Sequence, residues 1–257
     1  MNGFDLRHSG LSGAVAGAHR AIGFRPRLWP TVFALPVLVL LLALGVWQVQ
    51  RLHWKEGLIA ERQAATSAAP VPVPASLDRP RSDMEFRHVF ARGVFLNDKE
   101  IYVYAAPRAG EIGFDVLTPL VQKDGQIVFV NRGFVPVGLR DPEKRAAGEI
   151  AGPVRVAGLL RLPPAGKPNW FVPANDPRHN RWFWIDLANM AAADGLSRVA
   201  PFYVDADATP NPGGWPEGGL TRVHLPNNHL QYALTWFSLA VALLVIYVLY
   251  HRKPGAR

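Results

Sequence analysis

PTVFALPVLVLLLALGVWQV at residues 30–49 and LQYALTWFSLAVALLVIYVLY at residues 230–250 decide how this chain is built. Each run holds about twenty residues, the length an α-helix needs to span the hydrocarbon core of a bilayer. Neither contains Lys, Arg, Asp or Glu, so no charge opposes insertion. The chain reads as a membrane hairpin. A tail over residues 1–29 leads into a first span over 30–50, a domain over 51–228, a second span over 229–250 and a tail over 251–257. The polar and aromatic residues at the domain-side ends of the spans then share one face of the membrane. They are Trp47, Gln48, Arg51, His53 and Trp54 on the first span, and His229, Tyr232 and Trp236 on the second.

The 257 residues carry 28 Lys and Arg against 20 Asp and Glu, a formal charge of +8. Most of the excess lies in the tails, on Arg7, Arg20, Arg25, Arg27, Arg252, Lys253 and Arg257, with Asp5 opposing. Basic residues flanking spans mark cytoplasmic loops, so both termini are expected to face the cytoplasm and the domain to be exported. A nucleic-acid partner would need the excess on a folded face, and the domain is close to balanced, so none is expected. There is no cysteine, which removes disulfides, thiolate metal ligation and thiol redox chemistry. Residues 30–49 are longer than a signal h-region and are followed by no small-x-small cleavage site, so they read as a retained anchor. A transit peptide over residues 1–24 stays open as an alternative.

The helical pattern continues past the first span through Leu52, Trp54, Lys55, Leu58, Ile59 and Glu61. Pro70-Val71-Pro72-Val73-Pro74 ends it and predicts a stiff extended connector. From Phe86 the period drops to two. Strands are predicted over residues 86–95, with Gly93 as a candidate bulge, and over 100–104, 114–121, 126–130, 152–162, 182–185, 202–204 and 220–225. Lys123-Asp124-Gly125 supplies a hairpin turn, and a short helix starts with Asp186 as N-cap and ends at Gly195. Many short strands with little helix predict a mainly β domain, an antiparallel barrel or sandwich, between two transmembrane helices.

Two accounts of the membrane ends stand side by side. Trp47, Arg51 and Trp54 share a helical face, as do Gln48 and Lys55, and an interfacial belt of Trp with snorkelling Arg explains all but Gln48. On the second span His229, Tyr232, Ala233 and Trp236 share a face. They form either a satisfied interfacial His beside an aromatic belt or an imidazole ligand beside a surface where a planar group can approach the small Ala233. Asn227 or Asn228 caps this helix. The domain shows no Ser-His-Asp spacing, no Gly-rich phosphate loop and no His-x-x-x-His pair. His88, His179 and His224 read as structural, Arg132 as a buried pair partner or docking contact, and Trp170, Trp182 and Trp184 with Arg178 and Arg181 as core or docking surface.

Four stretches together resemble the surfeit-locus family of cytochrome c oxidase assembly factors. They are Gly45-x-Trp47-Gln48-x-x-Arg51-x-x-Trp54-Lys55, Gly113-Phe114 with Pro119, Asn131-Arg132-Gly133-Phe134-Val135-Pro136, and Asn228-His229-Leu230-x-Tyr232-Ala233-x-Thr235-Trp236-Phe237. The resemblance implies a non-enzymatic assembly factor that binds haem a and assists its insertion into oxidase subunit I. In bacterial members a haem a interaction is associated with the histidine that corresponds to His229, which makes His229 the candidate haem-iron ligand. Trp236, Tyr232, Trp47, Gln48, Arg51 and Trp54 would complete the pocket, Arg51 suiting a propionate, with His53 ranked below His229. The implied partners are subunit I, other oxidase assembly factors, haem a synthase and membrane lipid. The expected location is a bacterial inner (plasma) membrane, with the mitochondrial inner membrane as the alternative. The competing function is a structural scaffold for subunit I without cofactor contact; a membrane enzyme acting on haem or quinone is a third class.

Overall fold

The computed structural model describes residues 26–75, 82–108, 110–221 and 225–252. The tail residues Asp5, Arg7, Arg20, Arg25, Lys253 and Arg257, the transit-peptide alternative over residues 1–24, and His224 lie outside that range. The helices are α1 (Leu28–Ser67), α2 (Leu187–Ala193) and α3 (His229–His251). Of the described residues, 26–55 with 227–252 form one compact unit, and those between 56 and 226 form another.

In the first unit α1 and α3 are both long and apolar enough to cross a membrane. Leucines, valines and isoleucines that would be anomalous on a soluble surface are exposed all along both, Val37, Leu40, Val241 and Ile246 among them. A helix satisfies its own backbone in lipid, so such side chains cost nothing there. α1 runs 40 residues without a break and carries Pro36 internally. It thus extends well past the predicted span end at 50, to the point just before Pro70 where the fixed φ and missing donor stop it. At the start of α3 the side chain of Asn227, not that of Asn228, serves the helix end, its Oδ1 accepting from the His229 N–H at 3.4 Å.

The second unit is built from β1 (Val71–Pro72), β2 (His88–Phe95), β3 (Ile101–Arg108), β4 (Glu111–Val121), β5 (Ile127–Pro136), β6 (Pro153–Arg161) and β7 (Val199–Ala206). The ladder runs β2-β6-β7-β5-β4 and returns to β2 through Val94 opposite Val121 and Phe95 opposite Leu120, closing a barrel. All the barrel pairs are antiparallel except β5 with β7. Val89, Ala91 and Phe95 of β2, Leu120, Val128, Val130, Leu160, Phe202 and Val204 fill the interior from all five strands. α2 covers the outside of β3, β4 and β5 with Leu187, Met190 and Ala191 against Ile101, Leu117, Phe129 and the fully buried Trp182. β5 is therefore buried on both faces, which is why Ile127-Val128-Phe129-Val130 is a continuous apolar run.

Three expectations are corrected. Gly93 is not a bulge, since β2 pairs with β6 in unbroken register from His88 to Val94. A Cβ on Gly93 would lie 2.2 Å from the Val121 carbonyl oxygen, so glycine is required for β4 to reach β2 and close the barrel. Residues 182–185 form no strand: Trp182 makes a single bridge to Val103, and the Asn175 side chain takes the next two N–H groups. Leu220 and Thr221 are irregular because Gly219 has φ 73° and the Thr221 hydroxyl is taken by Asp205 at 2.9 Å; residues 222–224 lie outside the described range. The Pro-rich connector adds a feature composition did not show. Val71 and Pro72 pair in parallel with Val89 and Phe90.

Candidate functional site

α1 and α3 are antiparallel and joined by polar contacts at two levels. At one end the Thr31 and Tyr247 hydroxyls meet at 2.7 Å, and Arg27 donates to the Tyr250 hydroxyl at 2.8 Å. At the other, Nδ1–H of His229 donates to Oε1 of Gln48 at 2.7 Å. Along α1 the two levels lie about 26 Å apart at the rise of an α-helix. Between them small residues let the helices approach. Ala233 and Ala240 are buried, and a Cβ on Gly45 would lie 2.6 Å from the Phe237 ring.

Gln48, the residue that the belt account left over, is 8% exposed and is the partner of His229 across the seam. Its carbonyl oxygen can only accept, so Nδ1 is the donor in this bond and Nε2 is the ring nitrogen turned away from Gln48. A ligating histidine has the same arrangement, the far nitrogen donating to a fixed acceptor while the near one faces the metal. Trp236 lies on the His229–Ala233 face and is half-buried, whereas Tyr232 is 54% exposed.

Trp47, Arg51 and Trp54 form a group of their own on the flank of α1. The Arg51 guanidinium lies 5.9 Å from the Trp47 ring centroid and 4.8 Å from that of Trp54, and all three side chains are exposed. The structure thus joins Gln48 to His229, and Arg51 to the two tryptophans, as two neighbouring groups. His53 is exposed on α1.

In the second unit the polar residues serve the fold. The buried Glu100 carboxylate accepts from Tyr102 OH at 3.0 Å, Thr118 OH and Arg132 Nη1 at 3.3 Å each, and Arg145 Nη2. Arg145 also donates to Glu149 at 2.7 Å. Burial pushes the Tyr102 hydroxyl and Glu149 carboxyl up and the Arg132 guanidinium down; Arg145 is held up by Glu100 against its own burial. This settles Arg132 as a buried pair partner. Trp182 is core, and Trp170 is 87% exposed. A second group lines a cavity of about 240 Å³, where Asp205 accepts from Asn131, Arg161 and Thr221. Beside it burial pushes the Asp115 carboxyl up to about 6, with Arg108 at 3.9 Å opposing and Asp205 adding to the rise. Among the described residues no group of three or more His, Asp or Glu is placed to hold a metal ion.

Sequence reasoning missed Glu100 altogether. It carries no local motif and meets Arg145 only 45 residues on. Gln48 was visible as a polar residue ill-suited to an apolar run, but its partner was not.

A family model described as the SURF1 family matches residues 35–241, which takes in Gln48, the whole barrel and His229. A SURF1-like protein of Monosiga brevicollis is 39% identical over 96% of this chain and 95% of its own length. Surfeit locus protein 1 of Mus musculus is 41% identical over 77% of this chain and 68% of that protein, and its Homo sapiens counterpart is 41% identical over 77% and 70%. With the match reaching both apolar helices and the domain between them, this chain belongs to the SURF1 family.

Proposed function

We propose that this chain is a membrane-anchored assembly factor for cytochrome c oxidase that holds haem a through His229 and assists its insertion into subunit I. The observation that carries the proposal is the 2.7 Å bond from His229 Nδ1–H to the buried Gln48. It pins the imidazole plane between the two helices and leaves Nε2 as the free donor. Haem a, when bound, would supply an iron that the His229 imidazole could ligate. Ala233 keeps the face beside His229 low, and Trp236 and Tyr232 give it aromatic walls. Arg51, held between Trp47 and Trp54, presents a guanidinium suited to a propionate. Family membership supports the oxidase as the destination, with other assembly factors and haem a synthase as the partners from which haem a would come.

The role is that of a carrier rather than a catalyst. His229 and Gln48 form a ligand and its support, with no second acid or base beside them among their described contacts. The positive-inside pattern supports termini in the cytoplasm or matrix. The membrane is then a bacterial plasma membrane or the mitochondrial inner membrane, and the eukaryotic relatives favour keeping the second in view.

The test is the absorption spectrum of the protein purified from cells that make haem a, beside His229→Ala. Haem a should co-purify with the wild type and be lost from the variant, and the oxidase of variant cells should be short of haem a. If no haem a co-purifies, and the His229→Ala oxidase has its full haem content, the chain is a scaffold for subunit I instead.

A further inference from the structure

The most exposed apolar side chains of the second unit sit at a turn between β6 and α2. Asn169-Trp170-Phe171-Val172 reverses the chain, the Asn169 side chain accepting from the Val172 N–H at 3.0 Å. Trp170 and Phe171 occupy its centre, 87% and 68% exposed, their rings edge to face with centroids 5.7 Å apart. Among the described residues of this unit no other large apolar side chain is as exposed as either. Two adjacent aromatics open to solvent at a loop tip are unfavourable in water and mark a surface that meets something apolar.

What they meet follows from where the loop is rooted. Leu162 donates its N–H to Glu85 at 2.8 Å, and Arg161 before it donates to Glu85 at 2.9 Å and to Asp205 at 2.8 Å. The Arg161 guanidinium lies 4.6 Å from the Phe86 ring centroid, and that of Arg62 on α1 lies 4.4 Å from the same ring. His88 donates through Nδ1 to the carbonyl of Ala68, the residue after α1, at 2.8 Å. On the outgoing side the Thr221 hydroxyl donates to Asp205 at 2.9 Å, eight residues before α3 begins. The chain arriving from one apolar helix, the chain leaving for the other and the root of the loop are thus tied around Arg161. From Thr221 the chain enters α3 within eight residues, and Trp170 stands eight residues past Leu162, so both segments have the same reach, at most about 29 Å.

We infer that residues 163–173 are a further membrane contact of this chain, Trp170 and Phe171 entering the lipid interface at headgroup depth beside Lys167. Trp favours that depth, and an exposed Lys lays its stem on apolar surface while its ammonium meets phosphate. Pro163, Pro164, Pro168 and Pro173 remove N–H groups that lipid could not satisfy. A protein partner would use the same two rings, but the bilayer is held within reach by both connections. The anchor rests on α1 and α3 crossing a membrane and is independent of haem a.

The full chain has no cysteine, so a single one can be introduced and labelled with the fluorophore NBD. Gly166→Cys reports on the loop and Gly138→Cys on the rest of the unit; a Cβ at either meets nothing within 4 Å. Ser238→Cys reports on α3. Each is placed in nanodiscs of phosphatidylcholine and phosphatidylglycerol, with and without lipid bearing a nitroxide near the headgroup end of the acyl chain. Emission from position 166 should shift to the blue and be quenched at least twofold, with position 138 unquenched. Trp170→Ser combined with Phe171→Ser should abolish both effects at position 166 and leave the thermal midpoint unchanged, since neither ring is buried. Quenching at 238 but not at 166 overturns the anchor and leaves the rings to a protein partner. Quenching at neither overturns the membrane reading of the helices and the anchor with it. Equal quenching at 166 and 138, or quenching that the double Ser variant keeps, overturns the anchor alone.

Discussion

Replacing Gln48 with Leu keeps the volume in the helix seam and removes the one acceptor that the structure gives His229 Nδ1–H. Gln48 is 8% exposed, so water cannot take its place readily. An unmatched buried donor costs about 1–3 kcal/mol, roughly 5–150-fold in an equilibrium constant. Loss of the outer partner of a ligating histidine independently gives about 10–100-fold in metal affinity. Haem a occupancy after purification should therefore fall by one to two orders of magnitude in Gln48→Leu. Gln48→Glu, whose carboxylate accepts more strongly, should retain it. Thr31→Val provides the control. It removes the hydroxyl contact at the other level of the same helix pair, worth about 0.6 kcal/mol in a membrane, and should leave occupancy unchanged. The assay is the haem a absorbance per protein in detergent, with the Soret position as a readout that helix packing alone does not move. Wild-type occupancy in Gln48→Leu refutes the positioning role. Equal losses in the Leu and Glu variants refute it too, because they point to packing rather than to the bond.

Asp115→Asn tests the raised carboxyl in the barrel. Its folded pKa of about 6 exceeds its ordinary 3.8, so the folded chain binds the extra proton and wild-type stability falls as pH rises through that window. The side chain is 25% exposed, so the effect is about 1–2 kcal/mol rather than the full shift. The amide should stabilise the chain relative to wild type at pH 7.5, and the advantage should shrink towards pH 4; a difference that is flat with pH, read by chemical denaturation, sinks this account. Glu100→Gln leaves Arg132 and Arg145 buried against half a partner and should cost about 3–5 kcal/mol, visible as loss of folded protein in expression and melting. Gly45→Ala drives a methyl into the Phe237 ring and should cost about 1–3 kcal/mol, with Phe237→Leu restoring most of it in a double-mutant cycle on detergent-stable helix pairing. A loss that Phe237→Leu does not relieve would place the cause outside this contact.

The helices were legible because uncharged runs of about twenty residues have one reading, and β2, β4 and β5 because their alternation or β-branched runs are local. The turn at Asp124-Gly125 and the Asp186 cap also act on their own neighbours, and both are in place, Asp124 accepting from the Gln126 N–H and Asp186 from that of Asn189. What stayed hidden is what distant residues decide. Trp182-Phe183-Trp184-Ile185 has strand composition, but Asn175 claims the N–H groups a ladder would need. Gly93 carries barrel closure, a fact set by Val121. The candidate site divides the same way. His229 and the Trp47–Arg51–Trp54 face follow from helical spacing, whereas the pairing of Gln48 with His229 depends on the register of two helices that meet only in the fold.

Gln48 and His229 stand 181 residues apart in the chain. During synthesis the first helix enters the membrane long before its partner exists. Until α3 arrives, the Gln48 amide faces hydrocarbon with no acceptor or donor to meet it, a cost that lipid cannot relieve. Closing so long a loop costs about 5 kcal/mol of chain entropy if the intervening residues are flexible. The bond between Gln48 and His229 is thus among the last to form, and a chain stopped anywhere before residue 229 carries the first helix without the partner of Gln48. On the proposed function, competence to hold haem a becomes a report on complete synthesis.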